Sequence, residues 1–237
     1  MKIIEVDSYE KMSALAADVI AAQVITKPHA VLGFATGSTP IGTYVALAKK
    51  CREDGLDFSD ITTFNLDEYC ALEISHPQSY YAFMWENLFS HINIKKENVH
   101  LPNGMAADID KECENYEKMI EEAGGVDLQL LGIGHNGHIG FNEPGDSFIS
   151  ATHRVDLTQR TIEANCRFFE NDLNKVPKQA ITMGIGTIMK AKNILMLIRG
   201  EDKLEAMKAM LAKEVHPSCQ ASVLQYHPNV TVIYTAN

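Results

Sequence analysis

The stretch VDLQLLGIGHNGHIGFNEPGD, residues 126–146, decides how the rest of the chain is read. Residues 126–133 form a short apolar run placed after Gly124-Gly125, which reads as a strand. The strand runs into a segment carrying Gly134, Gly137 and Gly140, so the polar residues there sit on an irregular loop and not on a helix. Ligands of parallel sheets bind where strands end in such loops.

The same pattern recurs on either side. HAVLGFA (29–35) reads as a buried strand that ends in ATGSTP, after which Ile41, Tyr44, Val45 and Ala48 repeat at helical spacing. DITTFNL (60–66) is a strand ending at Asp67 and Glu68. KIIEV opens the chain as a strand, and DSYE starts a helix with Asp7 placed three before Glu10. QSYYAFMWENLF, DIDKECENYEKMIEEA and EDKLEAMKAMLAK read as helices. AITMGI, a short helix and NILMLI give strand, helix, strand, and VTVIYT is the last strand. The region from TQRTIEANCRFF to Pro177 has a weaker pattern. Strands alternating with helices predict one α/β domain over residues 1–237, a mainly parallel sheet with helices on both faces.

Composition narrows the function. The 237 residues carry a net charge of −10, which repels nucleic acid and anionic membranes, so no partner of either kind is expected. An anionic metabolite would need a locally built site. No run approaches the length that crosses a bilayer. Cys51, Cys70, Cys113, Cys166 and Cys219 are scattered, odd in number and free of any CxxC, which suits a reducing cytoplasm. No helix-turn-helix precedes the first strand, which argues against a DNA-binding sensor.

Three loops carry chemistry. ATGSTP (35–40) follows a strand and opens a helix, with Gly37 for the turn, Ser38 and Thr39 for hydroxyls and Pro40 for the first helical turn. It lacks the Gly-Lys-Ser/Thr of a Walker A loop. NLDEY (65–69) places Asp67 and Glu68 at a strand end, where a half-shielded carboxylate can act as a general base. In the opening stretch, His138 with Glu143 suits acid–base work near neutral pH, whereas His135 reads as a structural residue bonded to loop carbonyls. The spacing of the two histidines is not that of HExxH, so a metal is not expected. Arg167 and Lys203 are cations that can complete an anion site. The set favours proton shuttling on a phosphorylated small molecule.

ATGSTP, NLDEY, LGIGHNGHIGFNEPG, RFF with Arg167, and GEDK together resemble the glucosamine-6-phosphate deaminase family, in that family's order and over most of the chain. The resemblance implies a modified Rossmann-like fold. It also implies conversion of D-glucosamine 6-phosphate and water to D-fructose 6-phosphate and ammonia, with no cofactor. Carried over by position, it makes Asp67 the base between C2 and C1 and His138 the ring-opening proton shuttle. Glu143 would support His138. Gly37, Ser38, Thr39, Arg167 and Lys203 would hold the phosphate, and residues 152–176 would form a lid. Longer members carry aspartate where this chain has Asn136, so an orienting role for the Asn136 amide oxygen toward the imidazole is expected. Asp156 stands where allosteric members have lysine, and the chain lacks their C-terminal extension. Those two departures imply a non-allosteric enzyme, a monomer or small homo-oligomer. A lactonase on the same fold is the nearest alternative.

Overall fold

The computed structural model describes residues 1–237, apart from the side chains of Arg160 and Ala164. In chain order the elements are β1 (Lys2–Glu5), α1 (Tyr9–Thr26), β2 (Val31–Phe34), α2 (Ile41–Asp54), β3 (Thr62–Asn65), β4 (Asp67–Tyr69) and α3 (Tyr80–Asn87). There follow β5 (Val99–His100), α4 (Ile109–Glu122), β6 (Leu128–Leu131), β7 (His153–Asp156), α5 (Gln159–Cys166) and β8 (Gln179–Thr182). The chain closes with α6 (Ile185–Met189), β9 (Asn193–Arg199), α7 (Leu204–Met210) and β10 (Val230–Thr235).

Seven strands form one sheet in the order β1-β10-β9-β6-β2-β3-β5. Every pair in it is parallel. β2 and β6 are buried along their whole length, because helices cover both faces. One face packs on α1, α2 and α3 through Met12, Ile20, Leu47 and Met84. The other packs on α4, α6 and α7 through Tyr116, Ile120, Ile188 and Met210. α4 shows how pattern becomes packing: Cys113, Tyr116 and Ile120 are its buried residues, spaced to lie on one side of the helix. From β2 the chain builds outward through β3 to β5, and from β6 outward the other way through β9 to β10. The order therefore reverses between β2 and β6, and a crevice opens there at the carboxyl ends.

The α/β, Rossmann-like architecture with helices on both faces is as expected, but several elements differ. The strand expected over 60–66 stops at Asn65, and Asp67–Tyr69 enters a second sheet, ordered β4-β8-β7 and antiparallel. The first half of AITMGI, expected among the main strands, is in β8 of that sheet. Part of the expected lid, residues 153–156, is its edge strand β7. Beneath α5, the side chains of Tyr69, Phe141, Leu157, Ile162, Phe169 and Val176 form a separate small core. Helix α1 is capped by Ser8, which accepts from the Lys11 N–H at 3.2 Å, and not by an Asp7–Glu10 box. Lys203 lies on a 3-10 turn that leads into a shorter α7 than the sequence pattern suggests. Among the described residues no helix is long and apolar enough to cross a membrane.

At the amino-terminal edge of the sheet, opposite the crevice, Asp127 ties three strands together. Its carboxylate accepts from the Val31 N–H at 2.8 Å, from Lys27 Nζ at 2.7 Å and from Lys192 Nζ at 2.7 Å. Burial pushes this carboxyl up, but Lys192, Lys27 and the Val31 N–H outweigh it and hold it below the usual range. A depressed carboxylate stabilises the fold at neutral pH, and that contribution fades only in acid below its ordinary range. The lysine side chains are 45% and 56% exposed, so removing Asp127 leaves them hydrated. The Val31 N–H is the group left stranded. Asp127→Ala is expected to lower unfolding stability by about 2 kcal/mol in urea titration. It should leave substrate affinity unchanged, and a loss under about 0.5 kcal/mol would contradict the staple.

Candidate active site

The cleft at the crevice holds about 630 Å³. Gly37, Ser38, Thr39, Asp67, Asn136, His138, Glu143, Arg167 and Lys203 all line it, whereas Glu68 does not.

The loop after β2 forms one end. Gly37 has φ of +97°, a backbone state that side chains resist, and a Cβ there would meet nothing within 4 Å. Its requirement is conformational, not steric. No described hydrogen bond uses the N–H of Gly37, Ser38 or Thr39, so these donors are unspent at the positive end of α2. Pro40 occupies the cap position just before the helix, one place earlier than expected, and has no side-chain bond to give it. Arg199, Lys203 and Arg167 bring cations to the same cleft. Arg167 follows α5 directly, with its guanidinium 4.7 Å from the Phe168 ring centroid.

His135 does not bond loop carbonyls as expected. Lys203 Nζ donates to its Nδ1 at 2.8 Å, and its Nε2 is 2.5 Å from Asp202 Oδ2. With Nδ1 accepting, the ring is the Nε2–H tautomer donating to Asp202. His135 thus fixes Lys203, and the sequence offered no sign of it beyond the loop it shares with His138.

Asp67 forms the other end. Its antiparallel partner is Thr182, and it is 7% exposed. Burial, and then the charge of Glu68, push its carboxyl up to about 8. No described hydrogen bond reaches its oxygens, so they are left to face the cleft. Gly140, φ +58°, lets the loop after β6 approach, because a Cβ there would sit 2.8 Å from Thr182 Oγ1 and 3.6 Å from Asp67 Oδ2. Glu68 points away: Oε1 accepts from the Tyr69 and Tyr80 N–H groups and Oε2 from that of Tyr81, each at 2.9 Å. Burial nonetheless pushes its carboxyl up against those three donors.

Between the ends lies His138. A Cβ on Gly134 would overlap its ring, so the bare backbone forms the shelf on which the imidazole lies. Its Nδ1 is 3.3 Å from Glu143 Oε1, close enough to feel the charge but outside good hydrogen-bond alignment. Burial raises the Glu143 carboxyl, but His138, Asn136 and Thr161 outweigh it and keep it below the usual range. Asn136 differs from expectation. Its amide oxygen accepts from the His138 backbone N–H at 3.2 Å, and its Nδ2 donates to Glu143 Oε2 at 2.6 Å. It therefore orients the imidazole through Glu143 and the loop, since the tight turn brings its side chain across to residue 143.

Several cleft residues were not singled out from the sequence. Thr158, Thr161 and Asn165 sit at helical spacing on and beside α5. Thr161 Oγ1 donates to Glu143 Oε1 at 3.3 Å, and Asn165 Nδ2 to the Tyr69 hydroxyl at 2.8 Å. Arg199 ends β9, and the strand-end rule that picked out Asp67 would have found it.

Comparison with known proteins agrees with this geometry. A family model described as glucosamine-6-phosphate isomerases/6-phosphogluconolactonase matches residues 6–232. A glucosamine-6-phosphate deaminase of Lachnoclostridium phytofermentans is 55% identical over 98% of this chain and 98% of its own. One of Thermoanaerobacter pseudethanolicus is 54% identical over 98% of this chain and 92% of its own. The solved structure of a monomeric glucosamine-6-phosphate deaminase superposes with a TM-score of 0.96 at 46% identity, covering 99% of this chain and 97% of that one. A 6-phosphogluconolactonase of Thermotoga maritima, at TM-score 0.74 and 22% identity over 99% of this chain and 98% of that one, shares the fold. The chain belongs to the glucosamine-6-phosphate isomerase/6-phosphogluconolactonase family.

Proposed function

We infer that this chain is an enzyme that converts D-glucosamine 6-phosphate and water into D-fructose 6-phosphate and ammonia. The observation that carries the reading is the pairing of a buried, unbonded Asp67 with the His138–Glu143–Asn136 group in one cleft that ends in unspent N–H donors.

The chemistry runs from the phosphate end inward. The N–H groups and hydroxyls of residues 37–39, with Arg167 and Lys203, hold the phosphate and set the sugar's direction. His138, with Nδ1 toward Glu143, uses Nε2 to take the O1 hydroxyl proton and return it to O5, which opens the ring. Asp67 removes the C2 proton and delivers it to C1, and a second proton passes from the amino nitrogen to O1, so the aldose amine becomes a ketose imine with a C1 hydroxyl. Water then adds to C2, the C–N bond breaks, and ammonia leaves. Lactone hydrolysis, the alternative on this fold, moves no proton from C2 to C1, so it does not call for a base placed to carry one.

Residues 152–176 act as the lid over the sugar. Thr161, Asn165 and Arg167 come from this segment, and all three line the cleft. Asp156 accepts from Gln179 Nε2 at 2.7 Å, and Arg154 lies 3.8 Å from Asp110, so both are spoken for at the edge of the small sheet. Together with the acid at 156 this supports hyperbolic kinetics, without a response to a second phosphate ligand.

Simultaneous assay of ammonia and fructose 6-phosphate from glucosamine 6-phosphate tests the reaction, with equimolar release expected. Failure of both, with hydrolysis of 6-phosphogluconolactone, would move the chain to the lactonases. Asp67→Asn should lose roughly 10²–10⁴-fold in kcat. Because the Asp67 carboxyl is raised to about 8, the base is protonated in acid, and kcat/KM should rise with pH through about 8. The same raised value means that ionising Asp67 disfavours the fold. The cost accrues between the ordinary carboxylate range and about 8, so Asp67→Asn should melt higher than wild type at pH 9, by a smaller margin at pH 5, and no higher below the ordinary carboxylate range. Wild-type turnover in that variant would remove the base assignment. Asn136→Asp places a second carboxylate where the amide now lies 2.6 Å from Glu143. The two should share a proton, so the pH profile should change shape, and an unaltered profile would show that Asn136 does not act through Glu143.

A further inference from the structure

The anion loop is braced by two residues from distant parts of the chain. Tyr9, at the start of α1, donates its hydroxyl hydrogen to the Ser38 carbonyl at 3.2 Å and accepts from the Gly42 N–H at 2.7 Å. One hydroxyl thus spans the loop and the first turn of α2, giving that helix the side-chain cap that Pro40 lacks. The approach is close: a Cβ on Gly42 would lie 3.0 Å from Tyr9 Cζ. On the Tyr9 ring rests Arg199, its guanidinium carbon 3.9 Å from the centroid, at the carboxyl end of β9. Arg199 also lines the cleft beside the residues 37–39 loop and Lys203. A guanidinium so placed both restrains the ring and carries positive charge to the phosphate end.

We propose that Tyr9 and Arg199 form a positioning pair for phosphate recognition: Tyr9 holds the residues 37–39 loop in its anion-binding shape, and Arg199 locks Tyr9 while adding a third cation to that end of the cleft. The inference rests on the cleft being a sugar-phosphate site. In a chain of net charge −10 the dianion meets a repulsive field, and a braced loop with unspent donors and three cations offsets it locally. The bracing ties down the Ser38 carbonyl while the N–H groups of residues 37–39 keep no described partner.

The test is calorimetric binding of fructose 6-phosphate to the full-length protein, alongside steady-state kinetics and melting temperature. Tyr9→Phe keeps the ring and the stacked cation but removes the hydroxyl. It should weaken binding about tenfold, with the loss appearing in KM and not in kcat. Arg199→Met, which removes both stack and charge, should lose about as much. Arg199→Lys, which keeps the charge without the planar stack, should recover part of it, to about threefold below wild type. Wild-type binding with Tyr9→Phe and Arg199→Met both within twofold of it would overturn the pair. So would a fall in melting temperature with unchanged affinity, which marks a merely structural brace. A wild type that does not bind fructose 6-phosphate at all would remove the sugar-phosphate reading itself, and this inference with it.

Discussion

The cleft depends on one backbone event, the departure of the chain from the main sheet at Leu66. The Leu66 N–H still donates to Phe34 O at 3.1 Å, as a continuing β3 would, but its carbonyl accepts from the Met183 N–H at 2.7 Å in the small sheet. One residue serves both sheets, and the next is Asp67. Crossing between them places a carboxylate where water is scarce, 7% exposed, without giving it a partner. A carboxyl in that position holds its proton more tightly than one in water, which makes its anion a stronger base. The helix dipole at the opposite end of the cleft and the histidine between them are useful only because this one acid is held at the junction.

Much of this was legible in the sequence, for a physical reason. Strands buried on both faces read as apolar runs, and residues at their carboxyl ends converge on one edge whatever their separation along the chain. That rule brought Asp67, His138, Glu143, Lys203 and the residues 37–39 loop together correctly. It failed where local pattern is silent about partners. β4 is three residues long and β7 four, and a short strand's sheet is set by its pairing, not by its composition. Asn136 and His135 show the same limit at the side-chain level. Their neighbours in sequence suggested contacts to the imidazole and to loop carbonyls, but the tight glycine turns aim one at Glu143 and the other at Asp202 and Lys203. Tyr9, twenty-nine residues from Ser38, had no signal at all.

The two edges of the main sheet divide the work. Asp127 at the amino edge is saturated with donors and lines no part of the cleft. The carboxyl edge keeps donors and acceptors unspent: the loop N–H groups, the Asp67 oxygens, the Nδ1 of His138 short of a full hydrogen bond. Polar groups left incomplete are destabilising in a core, and the crevice is where the fold tolerates them.

The bond from Thr161 to Glu143 has a consequence of its own. Thr161 rides on α5, while Glu143 belongs to the loop after β6 and faces His138. Any outward swing of α5 strips one donor from that carboxylate and raises its hold on a proton. Mechanical displacement at the rim is thereby converted into a change of charge at the centre, as a lever closes an electrical contact.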